Sequence, residues 1–431
     1  MISIELLKEK LNMGEYDKKI STLYCRDADD ISYYRERIIN VADGFLKVFN
    51  KKSDSMISIF SSPGRTELGG NHTDHQCGKV LTGSVDLDTL ACAAPNGTNQ
   101  VRIFSEGHKT VCVECDCIDI IEQEKNTAAA LVRGMISGIN KLGFCVQGFD
   151  AYTISDVPGG SGLSSSACFE VLIGVIINSF FCDNKISAVD IAKIGQYAEN
   201  VYYGKPSGLL DQMGCALGGV VSIDFKDKNN PVCEKIDVDF ASAGYALCIV
   251  NTGKDHSDLT SYYSAVTEEM KSIANVFGKD YLCEVDEESF YRDIPVLRSK
   301  TGDRAVLRAI HYFEECKRVD KQVEALKNGD LNEFFRLVVS SGQSSYMYLQ
   351  NVDTYNDPRE QHLALALAVT DTYLNGSGAY RVHGGGFAGT IQAFVPIDVI
   401  NGYKRKIDAI FSDGACRVIY IRSVGGCTVV E

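Results

Sequence analysis

The chain has 431 residues, of which 45% are hydrophobic and 23% charged, a balance that fits a globular protein and excludes a fibre or a largely disordered chain. That length exceeds what one hydrophobic core usually covers, so two domains are expected, 1–230 and 231–431. The formal net charge of −14 argues against nucleic acid or an anionic membrane as a partner, and no apolar run is long enough to span a bilayer.

Sixteen cysteines without a signal peptide read as reduced thiols of a cytoplasmic protein. In the opening section, Ile38, Ile39, Val41, Phe45, Leu46 and Phe49 recur at helical spacing and predict helices without catalytic candidates. Met56–Phe60 then reads as a short strand running into a loop, 61–76. Arg65, Glu67, Asn71, His72, Asp74 and His75 crowd that loop between apolar segments, as a hydroxyl-rich ligand requires, because each buried hydroxyl left without a partner costs about 1–3 kcal/mol. The competing reading is a solvated surface loop.

Strands are expected at Val101–Phe104 and around Cys112, and a helix over 128–142. Cys112, Cys115 and Cys117 lie close together, but Val111, Val113 and Ile118 give the stretch strand character and no second ligand cluster follows at zinc-site spacing. Further on, Gly159, Gly160 and Gly162 precede Ser164, Ser165 and Ser166, between strand-like Ala151–Ile154 and an apolar run, Cys168–Phe181, long enough for a helix. A glycine turn opening a helix is an anion site, since backbone N–H groups and the positive end of the helix dipole face the ligand. The loop is neither a Walker A sequence nor a dinucleotide fingerprint.

Downstream, 191–203 reads as a helix carrying Glu199, broken by Gly204–Gly208. Asp211, set between apolar residues beside this turn, is either a helix cap or a functional carboxylate. The turn at Lys226–Pro231 marks the expected domain boundary. Tyr245–Val250 is a strand, and Thr252–Ser257 leads into a helix with Tyr262 and Tyr263. Helical patterns follow through 306–348 and 362–375. Gly384, Gly386 and Gly389 satisfy G-x-G-x-x-G, yet a strand follows them, so this is a glycine-rich loop between strands.

Pro63-Gly64-Arg65 through Gly70-Asn71-His72-Thr73-Asp74, Pro158-Gly159-Gly160 through Ser164-Ser165-Ser166-Ala167, and Gly384-Gly385-Gly386-Phe387-Ala388-Gly389 occur in one order. With Gly208-Leu209-Leu210-Asp211-Gln212, and His256-Ser257 followed by Tyr263, the sequence resembles the galactokinases of the GHMP small-molecule kinase superfamily over most of the chain after Ile57. The resemblance implies a two-domain α+β GHMP kinase fold, N-terminal ribosomal protein S5 domain 2-like and C-terminal ferredoxin-like. It implies phosphoryl transfer from ATP, with Mg²⁺, to the anomeric hydroxyl of a galactose-like sugar. By position, Asp211 matches the catalytic aspartate and Arg65 the arginine beside it; Gly159, Gly160, Gly162, Ser164 and Ser165 belong to the nucleotide loop. Ser166 and Glu199 match the Mg²⁺ ligands, and His72, Asp74 and Tyr263 the residues that hold the sugar, with Asn71 and His75 as their neighbours in the signature.

Galactokinases usually carry glutamate at position 71, tyrosine at 75 and asparagine at 67, where this chain has Asn71, His75 and Glu67. The family's glutamate lies near the sugar's C6 hydroxyl, and a carboxylate facing another at about 4 Å costs about 4 kcal/mol at an effective dielectric near 20. Asn71 therefore admits galacturonate as an alternative substrate, one that a cationic His75 would favour, and Asp74-His75-Gln76 resembles the plant galacturonate kinases. A non-catalytic sugar sensor of galactokinase descent is a second alternative, but such relatives have lost residues from the Ser-Ser-Ala end of the phosphate loop, which this chain keeps at 165–167.

Overall fold

A computed structural model describes residues 1–25, 31–160, 162–227, 229–253, 259–354 and 356–431. Three N-terminal helices, α1 (Ile4–Asn12), α2 (Asp17–Tyr24) and α3 (Ile31–Val48), follow the short strand β1 (Ile2–Ser3) and bury their apolar faces, among them Ile38, Val41 and Phe45, on the first sheet. That sheet is built on two long antiparallel strands, β2 (Met56–Gly69) and β3 (Lys79–Pro95). Its main path runs β1-β2-β3-β6-β4-β5, with β4 (Gln100–Ser105), β5 (Val111–Glu114) and β6 (Phe149–Ser155).

The 61–69 segment, expected as loop, is strand. β2 is 14 residues long and buried after its first residue, with register shifts between Pro63 and Arg65 and between Glu67 and Gly69. Proline lacks an N–H and interrupts the ladder, so a bulge absorbs it, and the local twist re-aims the polar side chains that follow. Its polar composition hid the strand, because those side chains pair with buried partners rather than with water.

Helix α4 (Ala128–Lys141) precedes β6, and α5 (Ser165–Phe181) follows it as expected for the apolar run. The helix read over 191–203 is two pieces, α6 (Ala188–Tyr197) and a π-helical turn, Ala198–Tyr203. Next come α7 (Leu210–Leu217), β7 (Val220–Asp224) and β8 (Val232–Ile236). β7 pairs with both β3 and β8, so position 231 falls in a hairpin of the first sheet.

The second sheet is antiparallel in the order β10-β11-β9-β12, formed by β9 (Tyr245–Asn251), β10 (Ala379–Val382), β11 (Thr390–Pro396) and β12 (Cys416–Ile419). Helices α8 (Thr260–Val276), α9 (Glu287–Arg292), α10 (Ile294–Thr301), α11 (Asp303–Lys327) and α12 (Leu331–Ser344) lie between β9 and β10 in sequence, with α13 (His362–Leu374). After β11 come α14 (Ile400–Ile410), β12 and β13 (Cys427–Val430), which returns to pair with β2. One hydrophobic core includes Phe60 and Val171 from the first half with Leu247, Val338 and Phe394 from the second. Among the described residues, no helix is long and apolar enough to cross a membrane.

Candidate active site

Helix α5 begins at Ser165 directly after the glycine loop. Gly162 has φ +71° and lies so near the second half of the chain that a Cβ there would meet His383 Nδ1 at 2.9 Å. Ser164 stands at the N-cap in left-handed conformation, φ 60°, a strained position for a residue with a side chain, and makes no capping hydrogen bond. The first-turn N–H groups of a 17-residue helix have no intrahelical acceptor and face the end of the loop, which suits a phosphate. Ser161 lies outside the described residues.

Ser164 spends its hydroxyl on Asp211, donating to Oδ2 at 2.6 Å. Arg65, in β2, donates through Nε to Asp211 Oδ1 at 2.8 Å and through its Nη atoms to the same oxygen and to the Gly162 carbonyl. One guanidinium thus braces both the carboxylate and the phosphate loop. Asp211 lies in the first turn of α7, whose cap is Leu209, so it is not a capping residue. Burial pushes its carboxyl up, but the charge of Arg65, the Ser164 hydroxyl and the charge of Lys205 outweigh this and hold it below the ordinary range. About a third of its side chain remains accessible, which leaves it open to a ligand.

The segment 70–76 wraps beside this centre. Asp74 accepts from the backbone N–H of His75 at 2.9 Å and of Leu210 at 3.4 Å. Burial, then the charge of Asp211, raise its carboxyl to about 6. His72 Nε2 lies 2.9 Å from the Gly385 carbonyl, and Tyr263 donates to the Gly386 carbonyl at 2.9 Å, so the third glycine loop, between β10 and β11, closes over the same segment. His256 and Ser257 lie outside the described residues. His75 Nε2 is buried with no hydrogen-bond partner among the described residues, and burial followed by the repulsion of His72 pushes its imidazole down to about 3. It is neutral near pH 7, which corrects the expectation of a cation at this position.

Asn71 is fully buried. Its amide nitrogen donates to Glu67 Oε1 at 2.9 Å and to the Gly384 carbonyl at 2.7 Å; its amide oxygen accepts from Asn351 at 2.8 Å and from Ser345 at 3.3 Å. Glu67 in turn meets the buried Arg381 at 2.9 Å. Burial raises the Glu67 carboxyl to about 7 against the pull of Arg381 and Arg65. Two further buried groups on α11 hold the segment from below: His311 bonds the Asn71 carbonyl at 2.9 Å, and Glu315 accepts from the Gly70 N–H at 3.0 Å.

On the other side of Asp211, Ser166 Oγ lies 3.4 Å from Glu199 Oε1. Lys205 donates to the same oxygen at 3.0 Å, while Ser207 and Gln212 donate to Oε2 at 2.6 and 2.9 Å. A hydroxyl and a carboxylate at the mouth of a phosphate loop are hard oxygen donors, and they fit a small divalent cation carried in by a nucleotide.

Comparison with known proteins agrees with this geometry. Residues 43–95 match the galactokinase galactose-binding signature and residues 129–219 the GHMP kinases N terminal domain, and these spans hold every predicted site residue except Tyr263. A galactokinase of Clostridium tetani is 30% identical over 370 residues, covering 84% of this chain and 89% of that protein. The chain belongs to the galactokinase family. A second galactokinase, from Streptococcus mutans, is 28% identical over 394 residues, covering 89% of this chain and 96% of that protein. The crystal structure of Lactococcus lactis galactokinase complexed with galactose has the same fold, with a TM-score of 0.77 and 23% identity over 90% of this chain and 99% of that one.

The two positions that depart from the galactokinase pattern, 67 and 71, are in contact: the Asn71 amide donates to Glu67, and Arg381 pairs with the same carboxyl group. Several site residues escaped the sequence reading. Glu170, which stands behind Glu199 with Gln212 of the recognised Asp211-Gln212 motif, carried one usable signal: it is the only charged residue in the apolar run 168–181. Arg381, His311 and Glu315 carried none beyond the four-residue spacing of the last two on a helix.

Proposed function

We propose that this protein transfers the γ-phosphoryl group of ATP to the anomeric hydroxyl of D-galactose, giving galactose 1-phosphate and ADP. The observation that carries the reading is Asp211, held as a carboxylate by Arg65 and Ser164 at the opening of the phosphate loop. Phosphoryl transfer needs positioning and charge neutralisation more than covalent chemistry. The N–H groups of Gly159, Gly160, Gly162, Ser164, Ser165 and Ser166 cradle the nucleotide's phosphates, and Arg65 offsets charge that develops beside them. Asp211 orients the anomeric hydroxyl toward phosphorus; held below the ordinary carboxylate range, it accepts the proton only as the new oxygen–phosphorus bond forms. Asp74, His72 and Tyr263 line the sugar side, with Asn71 and His75 behind them. Ser166 and Glu199 would hold Mg²⁺, which supplies charge neutralisation to the phosphates when bound.

Galactose is favoured over galacturonate by two observations. His75 is held neutral and offers a sugar carboxylate no cation, and the Asn71 amide is committed to four internal hydrogen bonds and offers it no free donor. The test is Asp211→Asn. It should lower kcat by at least a thousandfold while galactose affinity, read by calorimetry, stays within a few-fold of wild type. Near-normal turnover in that variant would remove Asp211 from the mechanism.

A further inference from the structure

We infer that Glu170 and Gln212 form a buried strut that positions Glu199 as a metal ligand; the inference rests on the phosphotransferase reading above. Glu170 lies on α5, one helical turn beyond Ser166, and is fully buried. Its Oε2 accepts a hydrogen bond from Gln212 Nε2 at 2.9 Å, and the same nitrogen donates to Glu199 Oε2 at 2.9 Å. One amide NH₂ group is therefore shared by two carboxyl groups, one on the phosphate-loop helix and one on the π-helical turn. Both Glu170 Oε1 and Gln212 Oε1 are buried without a hydrogen-bond partner among the described residues.

A fully buried carboxyl with an unsatisfied oxygen is a costly way to fill space, and an apolar residue like its neighbours would pack there without the penalty. What Glu170 adds is direction. An unrestrained glutamine amide presents either its NH₂ group or its oxygen to a neighbour, and an oxygen facing Glu199 would repel it. With Glu170 accepting from one N–H, the other N–H must face Glu199. This bond and that of Ser207 fix Oε2, and turn Oε1 toward Ser166, the hydroxyl with which it would share a cation once the Lys205 ammonium that now donates to Oε1 at 3.0 Å gives way. Groups that orient metal ligands in this way typically contribute 10–100-fold to metal affinity. Because Gln212 directly follows Asp211 on α7, the strut also ties the metal ligand to the helix of the catalytic aspartate.

The strut is tested by Mn²⁺ binding, followed by electron paramagnetic resonance in the presence of ADP, on wild type, Gln212→Asn, Glu170→Leu and Glu170→Gln. The shorter amide of Gln212→Asn cannot reach both carboxylates, and Glu170→Leu removes the acceptor. Each should weaken Mn²⁺ in the protein–ADP complex about tenfold, with metal-free ADP affinity and galactose affinity within twofold of wild type. Glu170→Gln keeps an acceptor oxygen and should restore Mn²⁺ affinity to within about threefold. A purely structural Glu170 would lower thermal stability but leave Mn²⁺ affinity untouched; wild-type Mn²⁺ affinity in Gln212→Asn overturns the inference, whether or not Glu170→Leu folds. Absence of any Mn²⁺-dependent ADP binding by wild type would instead bring down the phosphotransferase reading itself, and the strut with it.

Discussion

Asn71 cannot be understood apart from Glu67, the side chain to which its amide donates. Returning glutamate to position 71 alone would set a second carboxylate against Glu67, where Asn71 Nδ2 now donates at 2.9 Å. That repulsion is worth about 4 kcal/mol at about 4 Å and an effective dielectric near 20. Asn71→Glu should therefore be strongly destabilised in chemical denaturation, and adding Glu67→Asn should recover most of the loss. Additive effects in this double-mutant cycle would show that the two sites are uncoupled. Asp74 gives a second prediction of known sign. Its carboxyl is raised to about 6, so it is charged above that pH and protonated below it, and galactose affinity should fall as pH drops through about 6. Stability moves the other way. The folded state holds the Asp74 proton more tightly than the unfolded chain, so this group's stabilising contribution is complete below about pH 4 and is lost as pH rises through about 6. In Asp74→Asn the affinity slope should disappear and the stability slope should shrink to what Glu67, raised to about 7, still contributes; a galactose affinity that is flat with pH in wild type would contradict the assignment.

Among the elements, the phosphate loop with α5 and the glycine loop between β10 and β11 were both legible, because apolar run length and glycine clustering are local signals. The strand character of 61–69 was not, since a buried strand whose polar side chains find buried partners shows no alternation. Nor was the π-helical turn at Ala198–Tyr203, whose extra residue per turn leaves no mark in the hydrophobic pattern and which places Glu199 at the site. The approach of the loop before α7 to the 70–76 segment is likewise a long-range fact. A Cβ at Gly208 would sit 1.7 Å from Asp74 Oδ2, so the glycine there is what lets the two meet. Gly208→Ala should push Asp74 aside and raise KM for galactose by tenfold or more with little change in KM for ATP; equal changes in both would mean that the loop serves the whole site rather than the sugar.

For the molecule as a whole, the net charge of −14 conceals several cations that are buried and already paired. Asp88 in β3 accepts from Arg37 of α3 at 2.9 Å and from Tyr24 of α2 at 2.7 Å, and Arg422, near the C-terminal strand, lies 3.4 Å away. This knot ties the N-terminal helices and the chain's end to the first sheet, outside the contacts that hold Asp211. Asp88→Ala would take the carboxylate from the buried Arg422 and leave Arg37 with only Asp156, at 3.2 Å, a loss of about 3–5 kcal/mol in denaturant unfolding. The galactose KM of the folded fraction should stay unchanged, and a selective rise in KM without a loss of stability would place the knot in the site after all. The phosphate loop, the sugar segment and the glycine loop converge from positions as far apart as 65 and 385, which is why the sequence motifs named residues and only the folded chain shows them meeting. The most direct test of that convergence is ATP consumption by the purified protein with Mg²⁺ and, as separate acceptors, D-galactose, D-galacturonate and N-acetylgalactosamine, with the product's phosphorus signal followed by NMR. Galactose should be the preferred acceptor and the product phosphorylated at its anomeric oxygen; turnover confined to galacturonate, or galactose binding without any phosphoryl transfer, would contradict the account.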